Sequence, residues 1–121
     1  MDNLQISDDV QLKEIKRKFN EKFPHLKIEF FSEEHGEGEA STYKSMYDEE
    51  LYLKDIRTNH NEGELSINGH TETATFEQTF RDKYGVNVQV WRKSGNMWLQ
   101  TTTTDDWTLS EQDQKGVEYD N

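Results

Sequence analysis

Residues 65–91 read LSINGHTETATFEQTFRDKYGVNVQVW, and residues 4–31 read LQISDDVQLKEIKRKFNEKFPHLKIEFF. An offset of 61 sets Leu4 on Leu65, Ile6 on Ile67, Ile15 on Phe76, Phe19 on Phe80 and Phe23 on Tyr84. One deletion, Pro24-His25 against Gly85, then sets Leu26 on Val86, Ile28 on Val88 and Phe30 on Val90. Apolar residues four apart (15, 19, 23 and 76, 80, 84) form one stripe along a helix. Alternation at 26, 28, 30 and at 86, 88, 90 marks half-buried strands, β-branched in the second copy. Each unit therefore reads strand–helix–strand.

Local signals set the boundaries. Thr75-Phe76-Glu77-Gln78 has the spacing of a capping box, and so does Thr108-Leu109-Ser110-Glu111. Pro24 and Gly85 stop the two helices at equivalent places. Two such units predict an α+β domain on the split β-α-β, ferredoxin-like plan, with helices on one face of an antiparallel sheet. The expected organisation is one domain over residues 1–116, with halves 1–31 and 64–92. An acidic insertion, 32–63, separates them; it opens with a loop at 33–39 and holds a short helix near 48–56 that rests Leu53 and Ile56 on the core. A turn at Lys93-Ser94-Gly95-Asn96 folds a fifth strand, 97–102, back on the fourth. A short helix comes next at 108–115, and 117–121 is expected to fray.

Length and composition agree with one small domain. The chain has 121 residues, a formal charge of −11 and a mean hydropathy of −1.13. Such values border on disorder, but the aromatics, three of them Trp, fall in periodic clusters. The absence of Cys excludes disulfides and thiolate chemistry. No apolar run approaches a membrane span, so a cytoplasmic protein without membrane contact is expected. The first 31 residues are neutral overall, with their bases at Lys13, Lys16, Arg17, Lys18, Lys22 and Lys27; the acidity belongs to residues 32–121. A field of that sign repels phosphate backbones and disfavours nucleic acid as a partner.

The stretches LKEIKRKFNEKFPHLKIEFF and VNVQVWRKSGNMWLQTTTTDDWTLSEQ resemble a family of small uncharacterised bacterial α+β proteins. The resemblance implies a compact α+β domain of this length and carries over no activity and no functional residue.

If Val86, Val88 and Val90 point inward, Asn87, Gln89 and Trp91 point the other way, with Phe31 beside them on the preceding strand. Pairing across the Ser94-Gly95 turn adds Trp98 and Gln100 to that face. Phe31, Asn87, Gln89, Trp91, Trp98 and Gln100 are thus the candidate binding residues, since aromatics set among amides mark recognition surfaces. A second copy, or the C-terminal segment with Trp107, could equally cover the face. The histidines His25, His35, His60 and His70 lack metal-ligand spacing, and the 33–39 loop lacks that of a calcium loop, so no metal or cofactor is expected. Asp105-Asp106 reads as acids before a helix start rather than an acid/base pair.

The expected function is a non-enzymatic interaction module that binds a second copy or a cytoplasmic protein through the aromatic sheet face. The alternatives from other classes are a small-molecule binder or small enzyme using a dimer cleft, and an acidic nucleic-acid mimic. No catalytic residue is assigned.

Overall fold

A computed structural model describes residues 3–32 and 45–118, so the acidic loop expected at 33–39 lies outside the described residues. Within them the chain runs β1 (Asn3–Ile6), α1 (Leu12–Lys22), β2 (Leu26–Phe31), a 3-10 turn (Leu53–Asp55), β3 (Gly63–Ser66), α2 (Thr73–Tyr84), β4 (Asn87–Ser94), β5 (Met97–Gln100) and α3 (Leu109–Glu118). The fold is α+β, with three helices and five strands among the described residues. Its core is built from the stripes and alternations of the two units. Ile15, Phe19 and Phe23 of the first unit meet Phe76, Phe80 and Tyr84 of the second, with Ile28, Phe30, Val88 and Val90 beneath. Phe19 stacks on Phe76 at 5.1 Å, and Phe80 sits edge-on to Phe30 at 6.0 Å.

Among the described residues the single four-stranded sheet of a ferredoxin-like plan is not shown. The strands make two antiparallel sheets, β1-β3 and β2-β4-β5. The registers give the reason. Leu4 pairs with Leu65, and Glu29 pairs with Gln89, which are the partners that offsets of 61 and 60 assign to each other. Each unit thus pairs with its own repeat about a local two-fold axis, first strand to first strand (β1 with β3) and second to second (β2 with β4).

The duplication also extends beyond the first two strands and the helix. The residue before α1, Gln11, bridges Tyr52, and the residue before α2, Glu72, bridges Thr108. Leu12 N–H donates to Leu51 O at 2.9 Å as Thr73 N–H donates to Trp107 O at 2.8 Å. Lys13 to Glu49 (3.0 Å) matches Ala74 to Asp105 (2.7 Å), and Leu53 to Val10 (3.0 Å) matches Leu109 to Thr71 (2.9 Å). The Tyr52 N–H is taken by Asp55 Oδ2 and the Thr108 N–H by Glu111 Oε1, each at 2.9 Å, and the next residues, Leu53 and Leu109, are fully buried. Finally, Met46 bridges Phe31 as Gln100 pairs with Trp91, and Tyr47 N–H reaches Phe30 O as Thr101 N–H reaches Val90 O. The described part of the segment read as an insertion, 45–56, therefore repeats in the first half backbone contacts that β5 and the start of α3 make in the second.

These bonds also relocate one helix start. α2 begins at Thr73, two residues before the expected cap Thr75, and Glu72 makes no side-chain cap. The carbonyls of Asp105 and Trp107 satisfy its first free N–H groups, so a capping side chain is redundant. At α3 the expected box is present: Glu111 N–H donates to Thr108 Oγ1 at 3.1 Å, reciprocating the bond from Thr108 N–H to the Glu111 carboxylate. Gly85 ends α2 with φ +71°, a left-handed cap that favours glycine. Gly95 (φ +61°) opens the two-residue turn between Ser94 and Met97, and β5 stops at Gln100, short of the expected 102. α3 runs on to Glu118, and 119–121 lie outside the described residues.

Candidate functional site

All six candidate residues share one face of the three-stranded sheet, because residues directly opposite across a ladder point the same way. Phe31 faces Asn87, Glu29 faces Gln89, Lys27 faces Trp91, Trp91 faces Gln100, and Lys93 faces Trp98. The face is not the open platform that strand alternation suggests. Phe31, Gln89 and Trp91 are 2%, 1% and 3% exposed, whereas Asn87, Trp98 and Gln100 stay half-buried. Trp107 does not form the cover, for it lies against Arg92, on the opposite side of β4.

The buried part of the face is polar and tied down. Gln89 donates to Glu77 Oε2 at 3.2 Å, and the same oxygen accepts the Val90 N–H at 2.8 Å. Glu29 holds Lys16 Nζ at 2.7 Å and Lys27 Nζ at 3.2 Å. Lys27 in turn lies 5.3 Å from the Trp91 ring and 5.2 Å from the Trp98 ring. A buried carboxylate, an ammonium and two indoles thus form one stack from the interior to the surface. Burial works against the charge on Lys16, but its bonds to Glu29 and Glu49 outweigh that and raise its pKa above the ordinary lysine value.

Outside this stack lies an open groove of about 440 Å³, between the basic side of α1 and Trp98. Lys13, Lys16, Arg17 and Lys27 line it, and each of the four pairs with at least one glutamate. Three of the bases that sequence places on the first helix, and Lys27 of β2, are therefore matched by carboxylates within the chain.

The other surface feature is β5 itself. It is the outer strand of the sheet among the described residues, and it exposes Met97 (66%) and Leu99 (41%) on the face opposite Trp98. Apart from Tyr52, these are the large apolar side chains the described residues expose.

Among the described residues no cluster of three or more His, Asp or Glu is placed to hold a metal ion. His60 instead binds Asp8 at 2.7 Å, whose other oxygen takes the buried Arg57 guanidinium at 2.9 Å. Partial burial pushes Asp8 up, yet the hydrogen bonds from Arg57 and His60 prevail and hold it below its ordinary range. His25 packs on α3, its N–H donating to Asp113 at 2.9 Å. Asp105 is buried under the start of α2, where its carbonyl serves as a cap. No described helix is long and apolar enough to cross a membrane.

Sequence reasoning puts Lys27 on this face with Glu29 and Phe31 without counting it among the binding residues, and it misses the parts played by Lys16 and Glu77. Alternation alone places Lys27; Glu77 was not legible, since it lies one residue off the helix stripe. No family model, curated protein or solved structure matches this chain.

Proposed function

We propose that this chain is a non-enzymatic interaction module that binds protein, either a second copy or another partner, through the β4–β5 hairpin side of the sheet. The observation that carries the reading is the make-up of β5: one short outer strand shows Met97 and Leu99 on one face and half-buried Trp98 on the other. Tryptophan with apolar neighbours is the usual anchor of a protein interface. Asn87 and Gln100 supply amides at the margin of that surface, while Phe31, Gln89 and Trp91 form the rigid floor beneath it. Binding is favoured over catalysis because the charged groups beside the surface, Lys16, Lys27 and Glu29, are held by one another in fixed pairs.

Affinity capture from an extract with the wild-type chain, Trp98→Ala and Lys18→Ala tests the reading. Capture of protein that is lost with Trp98→Ala and kept with Lys18→Ala supports it. The same profile for all three chains would contradict it.

A further inference from the structure

From the hairpin edge we infer that the partner is a second copy of this chain, joined by antiparallel pairing of β5 with β5 into one continuous six-stranded sheet. The inference rests on the reading of β5 as the binding surface and specifies its occupant.

Backbone geometry comes first. Thr101 N–H donates to Val90 O, so Val90 and Thr101 form a hydrogen-bonded pair. Alternation along the ladder then makes Arg92–Leu99 and Ser94–Met97 hydrogen-bonded pairs and leaves Lys93–Trp98 a non-hydrogen-bonded one. The N–H and C=O of Trp98 therefore point away from β4, to the outer edge. Such an edge is a template for another strand unless something blocks it.

No charge and no proline in β5 blocks it. Ser94–Thr104 is the longest run of the chain without Asp, Glu, Lys or Arg, in a sequence of which 32% is charged. It contains no proline. The contrast with the first half is direct: the segment whose Met46 bridges Phe31, as Gln100 pairs with Trp91, runs straight on into Asp48, Glu49 and Glu50. The described part of one arm runs into acidic residues, and the other stays uncharged as far as Thr104.

Charge and register then select the occupant. Two chains of −11 repel, and an uncharged strand is where their backbones can approach without like charges face to face. A two-fold axis at Trp98 lets each Trp98 exchange both backbone hydrogen bonds with its copy. The same register sets Met97 of one chain opposite Leu99 of the other, twice, so the exposed apolar side chains cover each other.

Sedimentation equilibrium of the full chain, from micromolar to near-millimolar protein and at about 0.5 M salt to shorten the Debye length below about 5 Å, reads the outcome. The wild-type chain is expected to dimerise. Leu99→Lys and Met97→Glu should each be monomeric with an unchanged circular dichroism melt. The double variant Met97→Glu/Leu99→Lys should dimerise again, because each Glu then faces a Lys of the partner. A wild-type monomer at all concentrations would overturn the inference while leaving Trp98-dependent capture of another protein intact. A dimer that survives Leu99→Lys, or a double variant that stays monomeric, would overturn it too, by placing the contact elsewhere or in another register.

Discussion

Glu29 stands directly opposite Gln89 across β2 and β4, and each is the other's counterpart in the repeated sequence. The pair marks an internal two-fold axis, and Leu4 opposite Leu65 marks the same relation in the second sheet. Around it the two halves have diverged in chemistry while keeping their bonds: Glu29 anchors two lysines of α1 and β2, whereas Gln89 turns to Glu77 of α2.

Equivalent core positions should therefore carry similar weight. Leu53 and Leu109 are both fully buried and both come directly after a capped N–H. Replacing either by Ala is expected to cost about 2–5 kcal/mol, the usual range for deleting a buried leucine side chain. Urea denaturation checks this, and a Leu53→Ala chain as stable as wild type would refute the repeat of the capped turn in the first half.

The two threonines with capping-box spacing should separate. Thr108 accepts from Glu111 N–H, so Thr108→Ala should cost about 1 kcal/mol and fray α3. Thr75 lies within α2, where a surface threonine contributes little, so Thr75→Ala should change stability by no more than about 0.5 kcal/mol. Thermal melts of the two variants decide.

Acid should loosen the junction of β1, α2 and the 57–60 segment. Asp8 has its pKa lowered in the folded chain, so it contributes stability above its unfolded pKa of about 4 and loses it as pH falls through the lower folded value. Asp8→Asn removes that dependence. The difference in stability between wild type and variant should shrink as pH is lowered below about 4. A difference that stays fixed down the acid limb would rule out this role.

Packing of α3 depends on Gly116. A Cβ there would come within 2.5 Å of His25 Cβ, too close for any rotamer of either residue to relieve. Gly116→Ala should cost about 1–3 kcal/mol, as overpacking does, and should disturb the His25–Asp113 contact, seen as a shift of the His25 amide resonance. An unchanged melt would mean that α3 is not seated against His25.

Both helices, the hairpin and the Thr108 cap are legible in apolar spacing and turn chemistry, and the rest fails for identifiable reasons. The pairing of units was not legible, because periodicity fixes which face of a strand is buried and says nothing of its neighbour. The first-half repeats of contacts made by β5 and the start of α3 were hidden because their equivalence lies in backbone hydrogen bonds, while Tyr52-Leu53-Lys54-Asp55 and Thr108-Leu109-Ser110-Glu111 share one identical residue. Six candidate residues were correctly grouped on one face. Their exposure was not legible, since alternation cannot tell a solvated second face from a covered one.

The most direct measurement is amide hydrogen exchange at Trp98 and Leu99, monitored at low and high protein concentration. Leu99 N–H points toward β4 and should be protected throughout; Trp98 N–H points outward and should exchange freely in dilute solution and become protected as concentration rises. Exchange at Trp98 that is slow in dilute solution, or that ignores concentration and partner alike, would contradict the assignment of β5 as the binding edge.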